Sequence, residues 1–320
     1  MIAPVATALA ASVAFSTAAP ALGRRLPPAP GTRVLVVGAG AVAGATFFVV
    51  GVVAFTWVAR HPAIAALGPW SPAGLGRVSP IPAAAAAGAT LLLAVLGART
   101  ARLALPRCRA WADVRRRCRH LPGAGPLVVV DSDAVDAFTT PQRRGRIVVT
   151  TALLRALGPQ ERRVVLAHEA SHLDHRHAWW LAGAELAAAV NPLLVPTART
   201  VARAVERWAD EDAARAVADR RLAARTLART ALLVHGAPVA APIEGGPAAA
   251  LGLVDDDVPG RVRALLDPPP RRRRGVAAAL VARTLTCVLS AAAVQQGGER
   301  LFEGLLHDYE RAARAEAVRR

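Results

Sequence analysis

Four stretches of this chain, 2–22, 34–59, 81–104 and 276–294, are each about 20 residues long and almost wholly apolar. An α-helix needs that length to cross the hydrocarbon core of a bilayer. In lipid every backbone polar group must be satisfied internally, so a chain built this way folds as a multi-pass helical membrane protein. Composition agrees, with 53% hydrophobic residues and a mean hydropathy of +0.32. The long polar segment between the third and fourth stretches must then be a domain of its own. No basic residue precedes the first apolar run, while Arg24 and Arg25 follow it, so residues 1–22 read as a retained span rather than a cleaved leader.

Arginine placement orients the spans. The formal charge is +17 and lysine is absent. Arg24, Arg25 and Arg33 lie between the first two spans, and six arginines from Arg107 to Arg119 follow the third. Arg271, Arg272, Arg273 and Arg274 precede the fourth, whereas the loop 60–79 carries only Arg60 and Arg77. By the positive-inside rule the first loop and the polar domain are cytoplasmic. The expected division is three spans in 1–106, a cytoplasmic domain in 107–274, a fourth span in 275–295 and an external tail in 296–320. The arginines stand where topology and anionic lipid already require them, without interleaved aromatics for base stacking. The bilayer is therefore an expected partner and nucleic acid is not. Cys108, Cys118 and Cys287 form no disulfide or CxxC pattern.

Within the polar domain, PLVVVDSDAVDAFTT and PQRRGRIVVTT read as two or three short strands. Gly158-Pro159 breaks the following helical stretch, and its second part is expected to run from Gln160 to about Trp180. Another helix is expected over 197–234, then a Gly/Pro/Ala-rich loop over 236–259 and a short helix, PGRVRALLD.

The second helical part contains VVLAHEASHLDHRHAWW. His168 and His172 are four residues apart, on one helix face, so both imidazoles can bind one tetrahedral Zn²⁺. Glu169, one position round, is placed as a general base for a water activated by the metal, and as the acid that protonates the leaving amine. His175 and His177 read as solvated or supporting, because a catalytic zinc site needs only three protein ligands. The segment RAVERWADEDAAR offers Glu206 as third ligand, with Asp210 one turn on to orient a ligating imidazole. By itself that segment reads better as an amphipathic helix whose acids pair with Arg203 and Arg207.

Taken together, VVLAHEASHLDHRH, NPLL at 191–194 and ERWADEDAA at 206–214 resemble the membrane metallopeptidases of the BlaR/MecR type and the related HtpX and CAAX prenyl protease group. DAFTT and GRIVVTTALL resemble the strands that precede the zinc helix in those families. The resemblance implies an α-helical multi-pass membrane protein with an inserted α+β zincin-like (gluzincin) cytoplasmic domain. It implies one zinc held by His168, His172 and Glu206, with Asp210 supporting and Glu169 catalytic. Only 26 residues follow Val294, so no extracellular penicillin-binding sensor domain is expected. The His-Pro and Arg that follow the glutamate ligand in the HtpX-like group have only His235-Gly236 and Arg261 as counterparts. The sole tyrosine, Tyr309, falls in the external tail.

The expected activity is zinc-dependent hydrolysis of protein substrates at the inner membrane face, with an extended peptide pairing along a strand edge near residues 146–150. The alternative is a non-catalytic zinc sensor acting through a protein partner, which the intact Glu169 disfavours. A metal transporter is disfavoured because the histidines lie outside the spans. Oligomeric state is not legible. The apolar segment 178–198 could pass for a fifth span, but that would put about 30 Å of hydrocarbon between His172 and Glu206. Asn191-Pro192 instead marks a hairpin turn at the inner leaflet, with Glu185 toward protein or the interface.

Overall fold

The computed structural model describes residues 2–68, 70–118, 125–140, 145–236, 257–268 and 273–319. From the N-terminus come α1 (Ile2–Gly23), α2 (Pro28–Val58), the short helices α3 (Pro62–Ala65) and α4 (Pro72–Val78), and α5 (Ala83–Cys118). The polar domain supplies β1 (Leu127–Val130), β2 (Ala137–Thr139) and β3 (Ile147–Thr150). These are followed by α6 (Thr151–Ala156), α7 (Pro159–Asp174), α8 (His177–Val190), a single 3-10 turn (Pro192–Leu194), α9 (Val195–Val217), α10 (Arg220–Gly236) and α11 (Val258–Leu266). α12 (Arg274–Arg319) closes the described chain.

Among the described residues, four helices are long and apolar enough to cross a membrane: α1, α2, Ala83–Ala110 of α5, and Arg274–His307 of α12. They coincide with the four expected spans. The expected tail of 296–320 continues the fourth span as one helix of 46 residues, about 69 Å long at 1.5 Å per residue. Its far half packs Leu301 and Leu305 on Ala59 and Leu75 from the loop joining α2 to α5. There Trp70 meets the rings of Phe55 and Phe302, a grouping typical of a membrane–water boundary.

The segment 178–198 is a hairpin, as expected, but a deeper one. α8 and α9 pack into the bundle against α1, α2 and α5, in one apolar core with Phe15, Leu35, Val42, Leu194, Val201 and Leu280. At the tip, Asn191 donates from Nδ2 to Ser12 Oγ, 3.1 Å away, halfway along α1, and its Oδ1 accepts from the Leu193 N–H. Glu185 is buried against protein, paired with Arg107 at 3.1 Å. Arg99, an arginine inside the third span, donates to the carbonyls of Ala188 and Ala189 at the C-terminus of α8. A cation there satisfies carbonyls that have no intrahelical partner and complements the helix dipole.

Two expected helices are broken. The motif helix stops at Asp174 because Arg176 adopts a left-handed backbone (φ 52°), and α8 restarts at His177. A non-glycine residue pays for that conformation, and Trp180 Nε1 helps hold the turn by donating to the His175 carbonyl at 3.1 Å. The expected helix over 197–234 breaks at Ala218 (φ 53°), after which Asp219 caps α10 by accepting from the Leu222 N–H at 2.9 Å. The break at Gly158-Pro159 is as expected, with Glu161 accepting from the Gly158 N–H at 2.8 Å and proline at the first helical position. Most of the expected loop over 236–259 lies outside the described residues.

The sheet has order β1-β3-β2, with β1 parallel and β2 antiparallel to β3. β3 is therefore the central strand, and residues 146–150 offer no edge to a peptide. Among the described residues the open edge nearest the motif helix belongs to β2, which packs on α7.

Candidate metal centre

α7 lies along α9, and the contact brings three groups to one point. One ligand atom each from His168, His172 and Glu206 falls within 4.8 Å of the other two. The two Nε2 atoms are 3.1 Å apart, and the Glu206 oxygens lie 3.6 Å from His168 Nε2 and 3.7 Å from His172 Nε2. Donors held at about 2.0–2.1 Å around a tetrahedral zinc are separated by about 3.3 Å, so the cradle has the right size as well as the right donor chemistry.

Each imidazole is backed on its other nitrogen. His168 Nδ1 faces Asp210 Oδ1 at 3.1 Å, and His172 Nδ1 faces His177 Nδ1 at 2.9 Å. The left-handed turn at Arg176 makes the second contact possible, since it swings His177 back under His172. His177 is fully buried, not solvated as one sequence reading had it. His175 contacts Asp212 at 2.9 Å, which also accepts from Ser171 Oγ at 2.7 Å. The ring of His175 stacks on Trp208.

Arg261, from α11, binds both oxygens of Asp210 at 2.7 and 2.8 Å and lies 3.2 Å from Glu206. The sequence reading had matched it only with the arginine that follows the glutamate ligand in the HtpX-like group, and here it is a counterion of buried Asp210 and half-buried Glu206. The His235 side chain lies outside the described residues.

This clustering moves the protonation equilibria. Burial disfavours the charged ring of His168, but Asp210 and Glu206 outweigh it and raise its pKa to about 10. For Glu206 burial is opposed by His172, His168 and Arg261, which hold the carboxyl well below its ordinary range. Asp210 is lowered as well, with Arg261 and His168 outweighing its burial. Burial brings His172 down to about 4 and raises Glu169 to about 7.

Glu169 and His168 line a pocket of about 240 Å³ that reaches from the metal cradle to β2. Asp136 and Ala137 form its strand side, while Leu153, Val164, Leu227 and Leu265 supply apolar walls.

With that geometry in place, comparison with known proteins gains a specific meaning. Residues 119–186 match Peptidase family M48. The match takes in the sheet and α7 with its His-Glu-Ala-Ser-His sequence, and stops before Glu206 on α9. A Protease HtpX homolog from Acidiphilium cryptum (strain JF-5) is 40% identical over 90 residues, covering 27% of this chain and 30% of that protein. The chain thus spans under a third of the length of the curated relative it matches. No solved structure matches.

Proposed function

We propose that this chain is a membrane-embedded, zinc-dependent endopeptidase of the M48/HtpX kind that hydrolyses proteins at the cytoplasmic face of the cell membrane. The observation that carries this reading is the convergence of His168, His172 and Glu206 on one cradle, next to a pocket lined by Glu169. Three protein ligands leave one position open, as catalytic zinc sites require and structural ones do not. The wider likeness to the BlaR/MecR type stands on the sequence motifs.

Bound in the cradle, zinc would supply Lewis acidity toward water and a peptide carbonyl. Glu169 takes the proton of the attacking water and returns it to the leaving amine. Its raised pKa suits both halves of that exchange near neutral pH. Asp210 and His177 hold the two imidazoles in the orientation that leaves each Nε2 facing the cradle. The substrate backbone runs along the open edge of β2, where main-chain pairing is indifferent to sequence, and an apolar substrate side chain enters the adjoining pocket. The arginine distribution supports a cytoplasmic location for this site, and the four candidate spans support its attachment to the membrane.

The test is cleavage of an unfolded protein by the purified chain in detergent. Cleavage is expected to stop on chelation and return with stoichiometric zinc. Cleavage that survives exhaustive chelation would overturn the reading.

A further inference from the structure

A second cavity, of about 1060 Å³, lies apart from the metal cradle. It sits where α1 ends at Gly23, α2 begins at Pro28 and α12 begins at Arg274. Three candidate spans therefore reach the polar domain at this point. Arg33, Arg215, Arg220, Arg273 and Arg274 line the cavity, against a single carboxylate, Glu211.

That carboxylate is already engaged. Arg220 donates to both Glu211 oxygens, and Arg215 pairs with Asp212. Arg33 lies over the face of Trp208, 5.1 Å from the ring centre. Arg273 and Arg274 are exposed and, among the described residues, have no carboxylate partner. Three guanidinium groups without an acid among the described residues thus border one concavity, whose lining also includes apolar Leu26, Pro28 and Ala277. The positive-inside rule asks only for cations on this side of the membrane. It does not ask them to converge on a cavity.

We propose that this cavity binds the headgroup phosphate of an anionic phospholipid. The guanidinium forks match a phosphate diester in geometry as well as charge. The free N–H groups at the start of α12 add favourable dipoles. The apolar part of the lining receives the glycerol and first methylenes of the lipid, at the level where a span leaves the hydrocarbon. A basic pocket between spans on the cytoplasmic side is a recognised setting for such headgroups. The inference requires the four helices to span the membrane and does not depend on peptidase activity.

Native mass spectrometry of the full chain in neutral detergent, titrated with phosphatidylglycerol or phosphatidylcholine, reads the site without any cleavage assay. One phosphatidylglycerol is expected to be retained in preference to phosphatidylcholine. Arg273→Gln/Arg274→Gln should weaken that binding about 10- to 30-fold, and Arg273→Lys/Arg274→Lys, which keeps the charge and loses the fork, should restore only part of it. Arg109→Gln/Arg116→Gln removes the same charge from exposed positions on α5, outside the cavity, and should leave binding unchanged. Equal retention of the two lipids, or equal loss in the two glutamine pairs, would overturn the proposal in favour of a diffuse basic belt. Displacement of phosphatidylglycerol by millimolar inorganic phosphate would overturn it in favour of a site for a free anion.

Discussion

His177 Nδ1 stands 2.9 Å from Nδ1 of His172, on the side of that ring away from the metal cradle. If His172 gives the Nε2 lone pair to a metal, its proton sits on Nδ1 and His177 must accept it. Burial keeps His177 neutral, with its pKa pushed down to about 2, and its own Nε2 is buried without a hydrogen-bond partner among the described residues. His177→Phe keeps the packing and removes the acceptor. Loss of such a supporting contact typically lowers metal affinity 10- to 100-fold, and competition with a chromophoric chelator measures it. Unchanged affinity would mean that the tautomer of His172 is set elsewhere.

Arg261 faces Asp210 and Glu206 as a second cation beside His168. Arg261→Met should destabilise the metal-free protein by about 3 kcal/mol, because buried Asp210 loses its bidentate partner and is left with Glu206 beside His168 alone. Zinc then has more to restore, so the rise in Tm on adding zinc should be larger in the variant than in the wild type. Equal shifts would show that the guanidinium does not stand in for the metal charge.

A pH dependence follows from His168. Its raised pKa stabilises the metal-free fold fully below about 6.5, and the contribution is lost as pH rises through about 10. Metal binding must expel that proton. Zinc affinity should therefore climb about tenfold per pH unit between pH 6 and 8 for each proton released. Calorimetry in buffers of different ionisation enthalpy counts the protons directly.

Topology is testable apart from chemistry. Reporter fusions after His120 and Arg274 should both report cytoplasm, and one at Arg320 the exterior. An external signal at His120 would invert the chain and move the proposed site to the other side of the membrane.

The spans and the paired histidines were legible because each obeys a short-range rule, run length for the spans and four-residue spacing for His168 and His172, whereas Glu206 and Asp210 were singled out by the resemblance, since their spacing alone also suits an amphipathic helix. The breaks at Arg176 and Ala218 were not legible. Both are left-handed residues without glycine, and such turns are imposed by tertiary packing. Missing the first break hid the role of His177, which depends on the chain doubling back. A capping signal for the second was present in Asp219. Asp212 lay inside the acidic segment already quoted, but its contacts to Ser171 and His175 cross between helices and leave no local pattern. Expecting an open strand edge at residues 146–150 was an error of strand order, which alternation along a strand cannot give.

The central claim is that Glu169 performs proton transfer beside a metal held by other residues. The most direct measurement pairs zinc content with peptide hydrolysis in purified Glu169→Gln. One zinc per chain should be retained while the hydrolysis rate falls by about 10² to 10⁴. A variant that keeps its zinc and cleaves at the wild-type rate would contradict the claim.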